Sequence, residues 1–212
     1  MGGFRGRQRR IKHFGKRAEA FARDVAKGIG FREVVRDGKK IFVGTGKHRR
    51  LVVKPRNSNF RKIFPFIRRI EEALLLREKD PKTRPKSYVL VPLKASPRLE
   101  IQEYMEKPTL YQLITFLEMK KAPRAPRPEG RPALNKEEIL LCKRFAKQYP
   151  DITLEMLKEL EKELRHDVID VAPEEMIFQY HFTPRNVLVL GQRKGGRSGK
   201  GDKRIKVAII DI

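Results

Sequence analysis

Two short segments near the end of the sequence carry residue types that together suit a metal-chelated phosphate. Residues 181–190 read HFTPRNVLVL, a polar turn with Pro184 and Asn186 that runs into an apolar strand. After a basic, Gly-rich stretch, VAIIDI brings a second apolar run to Asp211. If the two runs pair as strands, an amide oxygen and a carboxylate fall at the same end of a sheet. A hard cation with oxygen ligands, such as Mg2+ carrying a nucleotide phosphate, takes that combination. Read alone, the segment is equally a plain hairpin whose Asn186 caps a turn.

Other chemistry-bearing residues precede it in the chain. Residues 33–54, EVVRDGKKIFVGTGKHRRLVVK, are three β-rich runs separated by DGK and GTGKH turns, and the third ends at Lys54. Backbone amides at Asp37 to Lys39, with Lys39 or Lys40, offer a phosphate contact, although Asp37-Gly38 also suits an ordinary type I′ turn. A helix is expected from about Pro65 to Glu78. Phe66, Ile67, Ile70, Leu74 and Leu75 recur at three- and four-residue spacing, and Pro65 suits a first helical turn. Glu71 and Glu72 lie within it. SYVLVPLKAS (87–96) reads as one strand. RLEIQEYMEKPTLYQLITFLE (98–118) reads as a strand that breaks at Glu103-Tyr104-Met105 and enters a helix that Thr109 can cap.

This order resembles the catalytic core of the protein-kinase-like superfamily, and its compact RIO-type and aminoglycoside-phosphotransferase-like members are the nearest comparison. The resemblance implies an α+β, two-lobed fold and an ATP-dependent phosphotransferase, with Mg-ATP as cofactor. Lys54 matches the lysine that bridges the α- and β-phosphates. Glu72, or else Glu71, matches the helix glutamate that pairs with it. Gln102 falls at the gatekeeper position, and the backbones of Glu103 and Met105 fall where the adenine edge is bound. Asn186 and Asp211 match the metal ligands. His181 occupies the position of the catalytic Asp, and Thr183 that of a frequent Lys. Ile212 stands where Phe is usual. A histidine base, a slow enzyme that relies on positioning and metal, and a nucleotide-binding pseudokinase all fit His181. The family continues past this Asp, so a protein-kinase peptide groove is not expected here.

The resemblance divides the chain into a basic N-terminal arm and helix (1–30), a small antiparallel β lobe with one helix (31–102), and a hinge with a reduced helical lobe (103–212). Residues 1–17 read as a mobile arm or frayed helix start. Arg17 to Lys27 read as an amphipathic helix with Ala18, Phe21, Ala22 and Val25 on one face, ended by Gly28 and Gly30. The segment 121–133 is a Pro-rich linker and 191–204 a flexible basic loop. Asn135, with Glu138 as capping-box partner, starts one helix. Thr153 starts another whose stripe is Leu154, Leu157, Leu160, Leu164 and Val168.

Composition bounds the partners. Lys and Arg number 50 against 26 acidic residues, a net charge of +24, and such a field attracts polyanions. The basic arm, the linker and the 191–204 loop suggest RNA, DNA or a ribonucleoprotein as partner. A basic nucleic-acid-binding protein on a kinase-like scaffold is therefore the alternative to an enzyme. The single Cys142 excludes an intramolecular disulfide and any multi-Cys zinc site, and it fits a reducing cytoplasm. No run reaches the about 20 apolar residues of a membrane span, so no membrane partner is expected. The 36% charged residues and the absence of Trp lean toward a thermophile.

Overall fold

The computed structural model describes residues 3–36, 39–54, 60–121, 133–172, 183–192 and 204–210. The chain is mixed α+β and divides into two compact units. One comprises Met1–Phe64 with Leu93–Glu106, and the other Pro65–Pro92 with Lys107–Ile212. The stretch 31–102 is thus shared between them.

The first unit is a five-stranded antiparallel sheet with a helix on one face. Its strands are β1 (Phe31–Arg36), β2 (Lys39–Gly44) and β3 (Leu51–Val53), with β5 (Ala95–Ser96) and β6 (Ile101–Glu103), in the order β1-β2-β3-β6-β5. The helix, α1, spans Gly3–Ala26, so it starts well before Arg17, and of the two readings of residues 1–17, mobile arm or helix start, the chain takes the helical one from Gly3. Phe14, Ala18 and Phe21 bury against Leu51 and Ile101, with Ala22 and Val25 alongside. The apolar spacing thus continues one turn further back, through Phe14. Gly28 (φ 72°) ends α1. Its N–H donates to Val25 O, and the Ile29 N–H donates to Asp24 O. This double closure satisfies the last carbonyls and needs a left-handed residue at Gly28.

The second unit holds most of α2 (Phe60–Lys79), then β4 (Tyr88–Leu90), α3 (Leu110–Lys121), α4 (Lys136–Gln148), α5 (Leu154–Val171), β7 (Val187–Gln192) and β8 (Ile205–Ile209). Its sheet runs β4-β8-β7, with β4 parallel and β7 antiparallel to β8. Two expectations are corrected here. SYVLVPLKAS is not one strand. Tyr88–Leu90 joins β8, whereas Ala95–Ser96 joins β6, because Pro92 has no N–H to continue a ladder. Helix α2 starts at Phe60, not Pro65, which leaves Pro65 inside it and without the bond to the Arg61 carbonyl. The boundary between the units falls at this proline.

Side-chain bonds lock β4 onto α2 and α5. The Tyr88 hydroxyl donates to Asp167 at 2.6 Å, and Arg77 donates to Asp167 (2.8 Å) and Asp170 (3.1 Å). Glu163 accepts from the backbone N–H groups of Lys86 and Ser87, each at 2.8 Å. At the same end of the sheet, Arg204 donates to both carboxylate oxygens of Glu78 at 2.8 Å. The expected caps of α4 and α5 form. Asn135 makes a full capping box with Glu138, and Thr153 accepts from the Met156 N–H. All five expected stripe residues of α5 are buried.

Candidate functional site

In the second unit, β7 and β8 pair from Val187↔Ile209 to Gln192↔Ile205, with an irregularity between Val189 and Gly191. Their side chains are almost continuously buried, so the register admits no slip that would expose the other face. A 3-10 turn, Pro184–Asn186, precedes β7, and the Asn186 N–H donates to Thr183 O at 2.9 Å. The Ile210 N–H donates to the Asn186 carbonyl at 2.7 Å. The ladder therefore carries the chain to Ile210 directly beside Asn186, which is the pairing that the two segments suggested. Asp211 follows Ile210 in sequence but lies outside the described residues, as does His181. Arg185 is fixed by its guanidinium, 4.7 Å from the centre of the Tyr111 ring of α3. Strand β7 is tied to the start of α3, where Val189 N–H donates to Pro108 O at 3.0 Å. Thr109 and Gln112 cap α3 reciprocally, at 2.9 and 3.2 Å.

The two glutamates on α2 differ in setting. Glu71 is buried and accepts from Arg68 at 2.6 Å, whereas Glu72 is exposed. Burial pushes the Glu71 carboxyl up to about 7. The Glu72 charge adds to the rise, and Arg68 opposes it.

In the first unit, β3 lies between β2 and β6. Side chains alternate along β3, with Leu51 and Val53 toward α1 and Val52 in the opposite cluster with Ile41 and Val43. Lys54 continues the ladder, its N–H donating to Glu100 O at 2.7 Å. Two residues beyond Val52, it falls on Val52's face and is buried, at 4% exposure. Val52 pairs with Gln102, which is also buried, and Tyr104 packs against the same cluster. One face of this sheet thus carries a buried apolar cluster flanked by Lys54 at one end and the 103–105 segment at the other. The strand register separates these ends by about 10 Å, three strand residues. The Glu103 N–H donates to Lys94 O at 2.7 Å, so a base at this edge would meet Glu103 through its carbonyl. Met105 follows, half-buried.

Sequence reading missed a second polar cluster in this unit. The buried His48 places Nε2 2.6 Å from Asp24 Oδ2, and Lys47 approaches the same oxygen at 3.1 Å. These bonds, the His48 one foremost, hold the Asp24 carboxyl below its ordinary range. The GTGKH turn was visible as a turn, but nothing local announces a partner 24 residues earlier.

Among the described residues, no three His, Cys, Asp or Glu side chains group as a metal set, and no helix is long and apolar enough to cross a membrane. Comparison with protein-family models, with curated proteins and with solved structures finds no match.

Proposed function

We propose that the chain is a kinase-like, ATP-dependent phosphotransferase. The observation that carries this is the backbone bond from Ile210 to Asn186, which brings the chain entering Asp211 alongside the amide. Asn186 and Asp211 are an oxygen-donor pair of the kind that Mg2+ accepts. Bound Mg2+ would neutralise charge on the phosphoryl oxygens during transfer. The first unit supplies a complementary set. The apolar cluster of Ile41, Val43 and Val52 suits a base, with the Glu103 carbonyl and the Met105 backbone as its edge partners. Lys54, about 10 Å along the sheet, suits phosphate oxygens.

Lys54 acts as a point charge on phosphate. Of the two α2 glutamates that the resemblance offers as its partner, Glu72 is exposed and Glu71 buried. Glu72→Gln and Glu71→Gln distinguish them, because only the true partner's loss weakens nucleotide binding. His181 takes the proton of the acceptor hydroxyl in its neutral form. The single Cys is in keeping with a reducing, cytoplasmic setting.

A thermal-shift assay with ATP and Mg2+ tests the proposal. At a hundredfold excess of ligand over its dissociation constant, stability should rise by about 2.7 kcal/mol. Asp211→Ala and Lys54→Ala should each remove most of that rise without lowering the unliganded melting temperature by a comparable amount. Equal rises in all three proteins would refute the site. Turnover is a separate question. His181→Ala should lower ATP hydrolysis by roughly 100- to 10,000-fold, and wild-type activity should fall as pH drops through about 6.5. Nucleotide binding with a flat pH profile and a silent His181 variant would make the protein a pseudokinase.

A further inference from the structure

Helix α1 is docked by one face and presents a basic outer face. With 3.6 residues per turn, Lys16, Arg23 and the following Lys27 fall within about 40° of arc, opposite Phe14, Ala18 and Val25. All three are exposed. Along the flank nearest the β2–β3 connection, the Arg17 guanidinium donates to Arg49 O at 3.3 Å. That connection, Gly44 to Arg50, adds Lys47, Arg49 and Arg50, all exposed.

This connection is rigidly seated. His48 is buried against Phe21, with ring centres 4.9 Å apart, and is bonded to Asp24. A Cβ on Gly44 would lie 2.2 Å from the His48 carbonyl oxygen, so the backbone closes on itself there. Arg50 sits at φ 78°, a conformation that is uncommon for a long side chain. The cations therefore stand at fixed positions. Acid is sparse on these two segments. Helix α1 holds only Glu19 and Asp24, and residues 44–53 hold no acidic residue. Asp24 is already engaged by Lys47 and His48. Glu19, exposed, stands about 60° from Lys16 and about 40° from Arg23, on the flank of this face away from the connection, and is an acid beside the α1 cations.

We infer that the outer face of α1 and the Gly44–Arg50 connection form a docking surface for the phosphate backbone of duplex nucleic acid. Lys16 to Lys27 span about 16 Å along the helix axis, the run of about five phosphates on one strand of a duplex. Apart from the His13 imidazole, no exposed aromatic ring accompanies these cations among the residues whose burial is described, and the large exposed apolar residues of the unit are Ile29 and Val35. Single strands are held by aromatic stacking, and protein partners by apolar anchors. Duplex interfaces are polar and strongly cationic, which matches this face. The surface is independent of the proposed nucleotide site.

The test measures binding of the full chain to one short sequence as duplex DNA, duplex RNA and single-stranded DNA, by fluorescence anisotropy between about 50 and about 200 mM salt. Either duplex should bind more tightly than the single strand, and the tighter of the two identifies the source. A variant with Lys16, Arg23, Lys27 and Arg49 all replaced by Gln should lose about 3.6 from the slope of log affinity against log salt, about 0.9 for each phosphate contact. Its charge-preserving counterpart (K16R, R23K, K27R and R49K) should keep the wild-type slope. Independently of any variant, duplex should protect Lys16, Lys27 and Lys47 of the wild-type protein from amine acetylation. An unchanged slope in the Gln variant, absent protection, tighter single-strand binding, or displacement by polyglutamate as effective as that by duplex would each overturn the proposal.

Discussion

Glu71 links a single carboxyl to the pH dependence of the whole second unit. Its pKa stands at about 7 against an ordinary 4.5, because burial outweighs the nearby Arg68. A carboxyl raised in the folded state binds more protons folded than unfolded between those two values. Stability is therefore greatest below about 4.5 and falls as pH rises toward about 7. The loss is on the order of a few kcal/mol at most. Glu71→Gln removes this titration. The melting temperature of the variant relative to wild type should therefore rise between about pH 5 and about pH 8. A difference independent of pH would show that Glu71 is ionised throughout. At this scale the sequence was informative where chemistry is local. Asn186 and Lys54 were identifiable from the strands that deliver them. The acids were harder to read, because the burial that separates Glu71 from Glu72 depends on what packs over α2. The bond between Asp24 and His48 likewise exists only once α1 and the GTGKH turn have met.

Caps and strands were unequally legible at the scale of elements. The caps at Asn135 and Thr153 are four-residue patterns, and both form as the residues suggest. The α5 stripe needed only helical periodicity. The parallel pairing of β4 with β8 joins residues more than a hundred apart, and no local pattern carries it. It also explains why SYVLVPLKAS splits at Pro92. Helix α2 overran its expected start because tertiary context overrides the preference of proline for a first turn. Two substitutions measure these elements. Thr153→Ala should cost about 1 kcal/mol through the lost cap, and Leu160→Ala, fully buried on α5, about 2 to 5 kcal/mol. Denaturant unfolding followed by circular dichroism reads both. Equal losses would mean that α5 is not packed as described. Gly191 is a stricter position. At φ 130°, an added Cβ would meet the Tyr149 ring at 2.4 Å. Gly191→Ala should therefore destabilise β7 and, with it, the approach of Asn186 to Ile210.

Across the whole molecule, the charge of +24 and the two units can serve two anions. The outer face of α1 is the proposed surface for a duplex backbone, while the Asn186 strand pair is the proposed holder of a metal-chelated phosphate. Salt discriminates between these roles. Binding through many surface cations weakens steeply as salt rises, whereas a single metal-chelated phosphate involves fewer such contacts and weakens less. The central claim is that Asn186 acts through Mg2+, and its direct measurement is calorimetric titration of ATP into wild type and Asn186→Ala, each with and without Mg2+. The account predicts that wild type binds ATP markedly more tightly with the metal and that the two affinities of the variant converge. An Asn186→Ala protein with the full Mg2+ dependence of wild type, or a wild type that binds no ATP under either condition, would contradict it.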